Sequence, residues 1–464
     1  MPSFETQTSA HHGYQQEPQL SYNEIIAYLD NHWTTPILGT IKKIDLLLGS
    51  LSLQLPSITI AGTNGKSTTI YYARKLLETE GLKIGTLTSP HFVFYNERIA
   101  INGNIISHDT FTSLANNILH IIQTNHIVAT SKDILVAMAL LHFKNEGVDI
   151  VIFEQENMLD YDPTTICTPQ ILAITRIVLP TKELTQKAIQ TLLSPITQTT
   201  YVTSADQSKL ILHEIAQKTT QQNGNWIMPI RKIAPLPYPY EQLHGRCAAL
   251  AERIAQTYVN QILPSSKLLE KNSLLRIVKK QRGRPTLTSK QYANSPHKTT
   301  TQFWKTVDTQ LPYHFQKIEH KNYTLVLDSA ANIDALQNLL LGIRLLNYEK
   351  PFKSIFFLLA SYDGKFNEHD FIKTVRYFFK KMPGQLSFCP ISNTIGEQTG
   401  TTWNIEKFAL AAQHAKIKVV VYKNFKTAFE TITKQLHDQQ DLFVITGSQA
   451  IVSEYWKYKK NKDA

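Results

Sequence analysis

Residues Ser57–Ile70 read "SITIAGTNGKSTTI". A short β-branched run enters a turn that holds Gly62, and Gly65-Lys66-Ser67 opens a helix. A strand, a turn and a helix N-terminus in that order gather backbone N–H groups around one point, which makes a phosphate cradle. The common pattern G-x-x-x-x-G-K-[ST] asks for a glycine five residues before Gly65. Ile60 stands there, and Gly62 comes two residues late.

The chemistry survives that shift. Lys66 would neutralise β- and γ-phosphate charge, and Ser67 carries the hydroxyl that ligates Mg²⁺ in such loops. Gly65 lets the backbone pass close to a phosphate, while Thr63 and Asn64 can bond the turn locally. The following "TTIYYARKLLETEG" predicts a helix with Ile70, Ala73, Leu76 and Leu77 on one face, closed by Gly81. A plain strand–turn–helix corner can contain Gly-Lys-Ser by chance. The flanking elements, in the order phosphate binding needs, favour a nucleotide site.

The alternation continues outward. "KIGTLTS" precedes helices near Asp109–Gln123 and Asp133–Phe143. Then come "VDIVIFE" (Val148–Glu154), "ILAITRIVL" (Ile171–Leu179), a helix over Lys182–Leu193 and "TYVTS". Short apolar strands separated by helices predict a mostly parallel sheet. Ligands of such sheets gather at the carboxyl ends of the strands, where Gly62–Ser67, Glu154 and Arg176–Thr181 fall. Polar residues dominate between Gln281 and Pro312, after which "YTLVLDS", "SIFFLLAS", "QLSFCP", "KVVVY" and "DLFVITGS" alternate with helical segments. The predicted class is α/β. A disordered tail is expected over residues 1–19, and a large P-loop domain with a mostly parallel sheet over 20–295. A linker at 296–311 leads to a smaller doubly wound, Rossmann-like domain at 312–464.

A chain of 464 residues suits two or three domains. No apolar run reaches membrane-spanning length, which predicts no transmembrane helix. The tail "MPSFETQTSAHHGYQQEPQ" has no Lys or Arg and no apolar core, unlike a secretory or mitochondrial leader. Cys167, Cys247 and Cys389 are far apart and lack metal spacing, as in reduced thiols of a cytoplasmic protein. The formal charge of +11 is dispersed, and the clusters at Lys279–Arg284 and Lys457–Lys462 carry no nucleic-acid motif. Small anionic substrates fit that excess, so no nucleic-acid or membrane partner is expected, and the chain is expected as a monomer.

"AGTNGKSTT" (Ala61–Thr69) is similar to the T-N-G-K loop of the ATP-dependent Mur-type amide ligases. Within that class the chain most resembles folylpolyglutamate synthase/dihydrofolate synthase. "TLTSPHFVFYNERIAINGNIIS" (Thr86–Ser107) carries T-S-P-H and E-R-I-x-[IV]-N-G, and "VITGSQAIVSEY" (Val444–Tyr455) matches V-T-G-S-x-x-x-V-x-E. A peptidoglycan Mur ligase would place a further domain before the loop, and here the loop begins at Gly62.

The resemblance implies an enzyme that joins L-glutamate to the carboxylate of a folate or dihydropteroate through an acyl phosphate, with ATP and two Mg²⁺ ions. It implies ATP binding by Gly62, Thr63, Asn64, Gly65, Lys66, Ser67, Thr68 and Asp328. Ser67, Ser89 and Glu154 would hold metal, the latter two the second ion. Ser89, Pro90 and His91 would meet substrate, and Lys66, Glu154 and Asp328 would be catalytic.

The departures are equally specific. After its glutamate the family reads V-G-L-G-G-R-L-D-A-T-N, where this chain has "QENMLDYDPTT". Thr181 falls at a metal-binding histidine and Pro180 at the aspartate before it. Only Lys187 lies near the place of a carbamylated lysine. "DSAAN" (Asp328–Asn332) stands for D-G-A-H-N, His314 takes the place of an arginine, and "YEQLHGRCAALA" lacks a convincing H-Q-x-x-N. Glu156, Asp160, Asp162 and His244 are candidate replacement ligands. Two readings therefore stay open: an active ligase with a rebuilt second metal site, and an ATP-binding pseudo-ligase.

Overall fold

The computed structural model describes residues 19–263, 273–275, 299–391 and 401–463, so most of the expected N-terminal tail lies outside the described residues. Two sheets organise the chain. The first contains β1 (Ser57–Ala61), β2 (Ile84–Leu87), β3 (Ile99–Ile101), β4 (Asn104–Ile105), β5 (Ile150–Glu154), β6 (Ile171–Ile174), β7 (Tyr201–Ser204) and β8 (Asn225–Trp226). Its order is β4-β3-β2-β5-β1-β6-β7-β8, and every pairing from β2 to β8 is parallel. β1 and β5 are buried at every position, as strands covered on both faces must be.

The second sheet contains β9 (Gln316–Glu319), β10 (Thr324–Leu327), β11 (Ser354–Leu359), β12 (Gly384–Phe388), β13 (Val419–Val421) and β14 (Asp441–Thr446). Its order is β13-β12-β11-β14-β10-β9, parallel throughout except for β9. The α/β reading with two mostly parallel sheets holds. Three strands, β3, β4 and β9, are antiparallel and too short to show in the sequence pattern. β3 and β4 form a hairpin whose turn residues, Asn102 and Gly103, both have positive φ, which matches the right-handed twist of a two-residue hairpin.

The sheets share one apolar core. Tyr240 and Leu243 of the helix Tyr240–Thr257 pack with Phe315, Leu336 and Leu339. Gly342, in the helix Ile333–Glu349, permits this closeness. A Cβ there would collide with the Phe315 ring and stand 3.0 Å from Leu243 Cδ1.

The polar segment expected as a linker is helical over Thr300–Thr306, and residues 296–298 lie outside the described residues. Thr299 and Gln302 form a capping box, and Trp304 is buried. Its indole N–H donates to Glu252 Oε2 at 2.8 Å, and its ring meets Tyr72 edge-on with centroids 5.6 Å apart. Burial of one large aromatic overrides the polar character of its neighbours. Trp304→Ala should therefore cost about 3 kcal/mol or more, lowering the midpoint of urea unfolding; a change within about 0.5 kcal/mol would mark a surface linker instead.

Candidate active site

Four adjacent strands, β2, β5, β1 and β6, deliver their carboxyl ends to one place. β1 delivers the loop Gly62–Ser67. Gly62 and Gly65 have φ of 137° and 89°, a region that L side chains rarely enter. A Cβ on Gly62 would run into the Thr175 hydroxyl, and one on Gly65 would lie 2.7 Å from Cys247 Sγ. The loop is also tied from outside. The amides of Thr63 and Asn64 donate to the Arg176 carbonyl at 2.8 and 3.3 Å, and the Val178 amide donates to Thr63 Oγ1 at 2.9 Å. The amides left for a ligand are those of the first turn of the helix Lys66–Thr79, for which that helix supplies no carbonyl. They carry the positive end of its dipole.

Lys66 Nζ donates to the Gly62 carbonyl at 3.0 Å and lies 3.8 Å from Glu154 Oε1. Glu154, at the end of β5, is 3% exposed. Burial pushes its carboxyl above the usual range, against the pull of Lys66 and of hydrogen bonds from Ser89 and Ser67. Those bonds are long: 3.4 Å from Ser67 Oγ and 3.3 Å from the Ser89 amide. A buried carboxylate with only distant partners, beside a hydroxyl, is a hard-oxygen donor set that suits Mg²⁺. Thr68, expected with the nucleotide ligands, is buried in the first turn.

Ser89 comes from the loop after β2. Its hydroxyl accepts from Arg98 at 2.6 Å and donates to Glu156 Oε2 at 3.3 Å. Arg98 is buried, lies over the rings of Trp33 and Tyr95, and donates from Nε to His91 Nδ1 at 2.9 Å. Burial, then the nearby Arg98 and Lys457, hold the His91 pKa far below its ordinary value. The ring is therefore neutral, with its proton on Nε2. Gln449 of the second sheet's side holds the Pro90 and His91 carbonyls at 3.4 and 2.8 Å. Of the three expected substrate contacts, Ser89, Pro90 and His91, each thus has a bond within the protein.

The second sheet brings up "DSAAN". Asn332 caps the helix Ile333–Glu349, and its amide exchanges hydrogen bonds with the Asn64 side chain at 2.9 and 3.2 Å. Asp334 accepts from Asn64 Nδ2 at 2.8 Å and pairs with Arg176 at 2.7 Å. Asp328, four residues before Asn332, accepts from the Phe315 amide at 2.8 Å, and burial pushes its carboxyl up to about 7.

Other candidates fall elsewhere. His244 is buried against Tyr72 and Tyr240, with its pKa held down to about 3 by burial. Asp160 pairs with Lys187 on the surface at 3.3 Å. Asp162 accepts from the amides of Glu156, Asn157 and Thr164 and from Lys132. Sequence reasoning missed Lys132, which bridges Asp162 at 2.8 Å and Glu156 at 3.2 Å. A readable signal existed: a lysine in the first turn of a helix opposes the dipole there and needs an acidic partner.

No family model matches the chain. It is 35% identical over 147 residues to a dihydrofolate synthase/folylpolyglutamate synthase of Bacillus subtilis, a stretch covering 31% of this chain and 34% of that protein. The chain thus matches about a third of the length of that curated relative. The folylpolyglutamate synthase of Mycobacterium tuberculosis, solved with ADP, superposes with a TM-score of 0.73 over 94% of this chain and 98% of its own, at 18% identity. The chain has the folylpolyglutamate synthase fold. The bifunctional folylpolyglutamate synthase/dihydrofolate synthase of Yersinia pestis, complexed with AMPPNP and Mn ion, shares it with a TM-score of 0.70 and 19% identity over 96% of this chain and all of its own. The resemblance drawn from T-N-G-K, T-S-P-H and E-R-I therefore extends to the architecture of the whole described chain.

Two outcomes follow from this geometry. Lys66→Ala should weaken binding of a fluorescent ATP analogue at least tenfold, because the cradle loses the Lys66 ammonium; equal affinities would refute the cradle. Asp328→Asn should change the pH dependence of stability. A carboxyl whose folded pKa is near 7 carries no penalty below its unfolded value of about 3.8 and a growing one as pH rises to 7. The variant should melt above wild type at pH 8, and the difference should vanish toward pH 4.

Proposed function

We propose that this chain is an ATP-dependent ligase that joins L-glutamate to the carboxylate of a folate or dihydropteroate. The observation that carries the reading is the convergence of Lys66, Ser67 and Glu154 at the mouth of the Gly62–Ser67 loop, opposite Asn332 and Asp334 at the start of the helix after β10. The names of the relatives and the shared fold support the choice of substrates.

In this reading the first-turn amides and Lys66 hold the β- and γ-phosphates, and Ser67 and Glu154 would hold Mg²⁺. Mg²⁺ bound there supplies neutralisation of phosphate charge as the γ-phosphoryl group moves. The substrate carboxylate takes that group, ADP leaves, and the glutamate amine then displaces phosphate to form the amide. The chain's own work is positioning and charge placement: a loop rigid at two glycines, an ammonium at its floor, and a second sheet closed over it. The partners are small molecules, with the chain acting as a monomer. Among the described residues no helix is long and apolar enough to cross a membrane.

Turnover of ATP to ADP and phosphate should require a pterin acid and L-glutamate together, since neither alone completes the cycle. Mass spectrometry should show the pterin acid gaining one glutamate. Glu154→Gln should lower kcat about a hundredfold, the scale of losing a preorganised charge-stabilising group. Tight ATP binding with no glutamyl product from any pterin acid would make the chain a pseudo-ligase.

A further inference from the structure

The ion-pair web behind Ser89 departs from the two-cation arrangement that the resemblance implies. Thr181, at the place of a metal-binding histidine, is an exposed helix cap that accepts from the Leu184 amide at 3.2 Å. Lys187 is exposed and paired with Asp160. Among the described residues no group of three or more His, Cys, Asp or Glu side chains is arranged to hold a metal ion. The donors a second cation would need exist in another form. One carboxylate, Glu156, takes the Ser89 hydroxyl, and Lys132 Nζ bridges it to a second, Asp162.

That ammonium is well held. Its side chain is 13% exposed, 2.8 Å from Asp162 Oδ2 and 3.2 Å from Glu156 Oε2. The same Glu156 oxygen takes the Ser89 hydroxyl at 3.3 Å, and Arg98 donates to Ser89 Oγ at 2.6 Å. Asp162 is the anchor of the turn as well. Its Oδ2 accepts from the amides of Glu156 and Asn157, and its Oδ1 from the amide and hydroxyl of Thr164. Mg²⁺ demands near-octahedral oxygen ligands at about 2.1 Å. To enter here it would have to evict an ammonium, approach a guanidinium and strip the turn of its acceptor. Glu156 stands where the resembling family has a glycine, so this pair belongs to the present chain.

We infer that Lys132 is a built-in cation in the place of a second Mg²⁺, so that the nucleotide-loaded chain takes a single divalent ion, at Ser67 and Glu154. The inference rests on the nucleotide reading above. Lys132 acts as a positioning residue: it holds Glu156 against the Ser89 hydroxyl, and the Ser89 amide in turn donates to Glu154 at 3.3 Å. The charge that a mobile ion would bring is fixed covalently to the helix Ser131–Asn145.

Equilibrium dialysis of the full chain with AMPPNP and Mn²⁺, counting Mn²⁺ per protein-bound nucleotide, tests this without turnover. Wild type should bind one Mn²⁺ per nucleotide. Lys132→Met empties the space between the carboxylates and should raise the count to two, with nucleotide still bound. Two Mn²⁺ in wild type, or one in a folded Lys132→Met, would overturn the inference. If that variant does not fold, the wild-type count alone decides. Failure of wild type to bind AMPPNP at all would overturn the ligase reading, and this inference with it.

Discussion

The loop after β1 is clamped from two sides, and the rest of the site depends on that clamp. On one side the Arg176 carbonyl takes the amides of Thr63 and Asn64. On the other, the Asn64 side chain reaches Asn332 and Asp334, while Asp334 returns to the Arg176 side chain at 2.7 Å. Arg176 lies just beyond β6 of the first sheet, and the helix that Asn332 caps follows β10 of the second. Closing those sheets on each other and setting the loop's conformation are therefore one event. The apolar packing of Phe315, Leu243 and Gly342 brings the two sheets together. The amide and carboxylate contacts at Asn64 give that approach a register.

Around the clamp, acidic side chains have cations beside them before any ligand arrives. Lys66 lies 3.8 Å from Glu154, and Lys132 bridges Glu156 and Asp162 at 3.2 and 2.8 Å. Buried carboxylates demand such partners, since an isolated one would take up a proton instead. The match is uneven. Asp162 is saturated, whereas Glu154 has only contacts of 3.3 Å or longer. The carboxylate with unsatisfied capacity stands beside the phosphate cradle, and the satisfied one stands behind the Ser89 loop. That difference separates a place for an exchangeable cation from a place already filled.

Much of this architecture was legible in the sequence. Short β-branched runs such as "SITIAG" and "VDIVIFE" read as buried parallel strands because both faces must be apolar, and Glu154 stood out as a charge ending such a run. The hairpin Ile99–Ile105 was signalled by Asn102-Gly103, a residue pair suited to positive φ, yet its strands are too short for periodicity to show. The helix Thr300–Thr306 hid in a polar run because one tryptophan supplies its anchor. The cation network was less readable. Lys132 and Glu156 lie 24 residues apart, and Asn64 and Asp334 lie 270 apart. Pairings at such separations are set by which strand ends the topology makes adjacent, and a single sequence does not carry that information locally.

The account's central claim is that the clamped loop is the phosphate site and Glu154 its cation ligand. A crystal structure with AMPPNP and Mn²⁺, measured at the manganese absorption edge, tests it most directly. The account predicts β- and γ-phosphates on the amides of Gly65–Thr68 and Lys66 Nζ, with the anomalous peak between Ser67 Oγ and Glu154. Nucleotide density away from that loop, or a peak remote from Glu154, would contradict it.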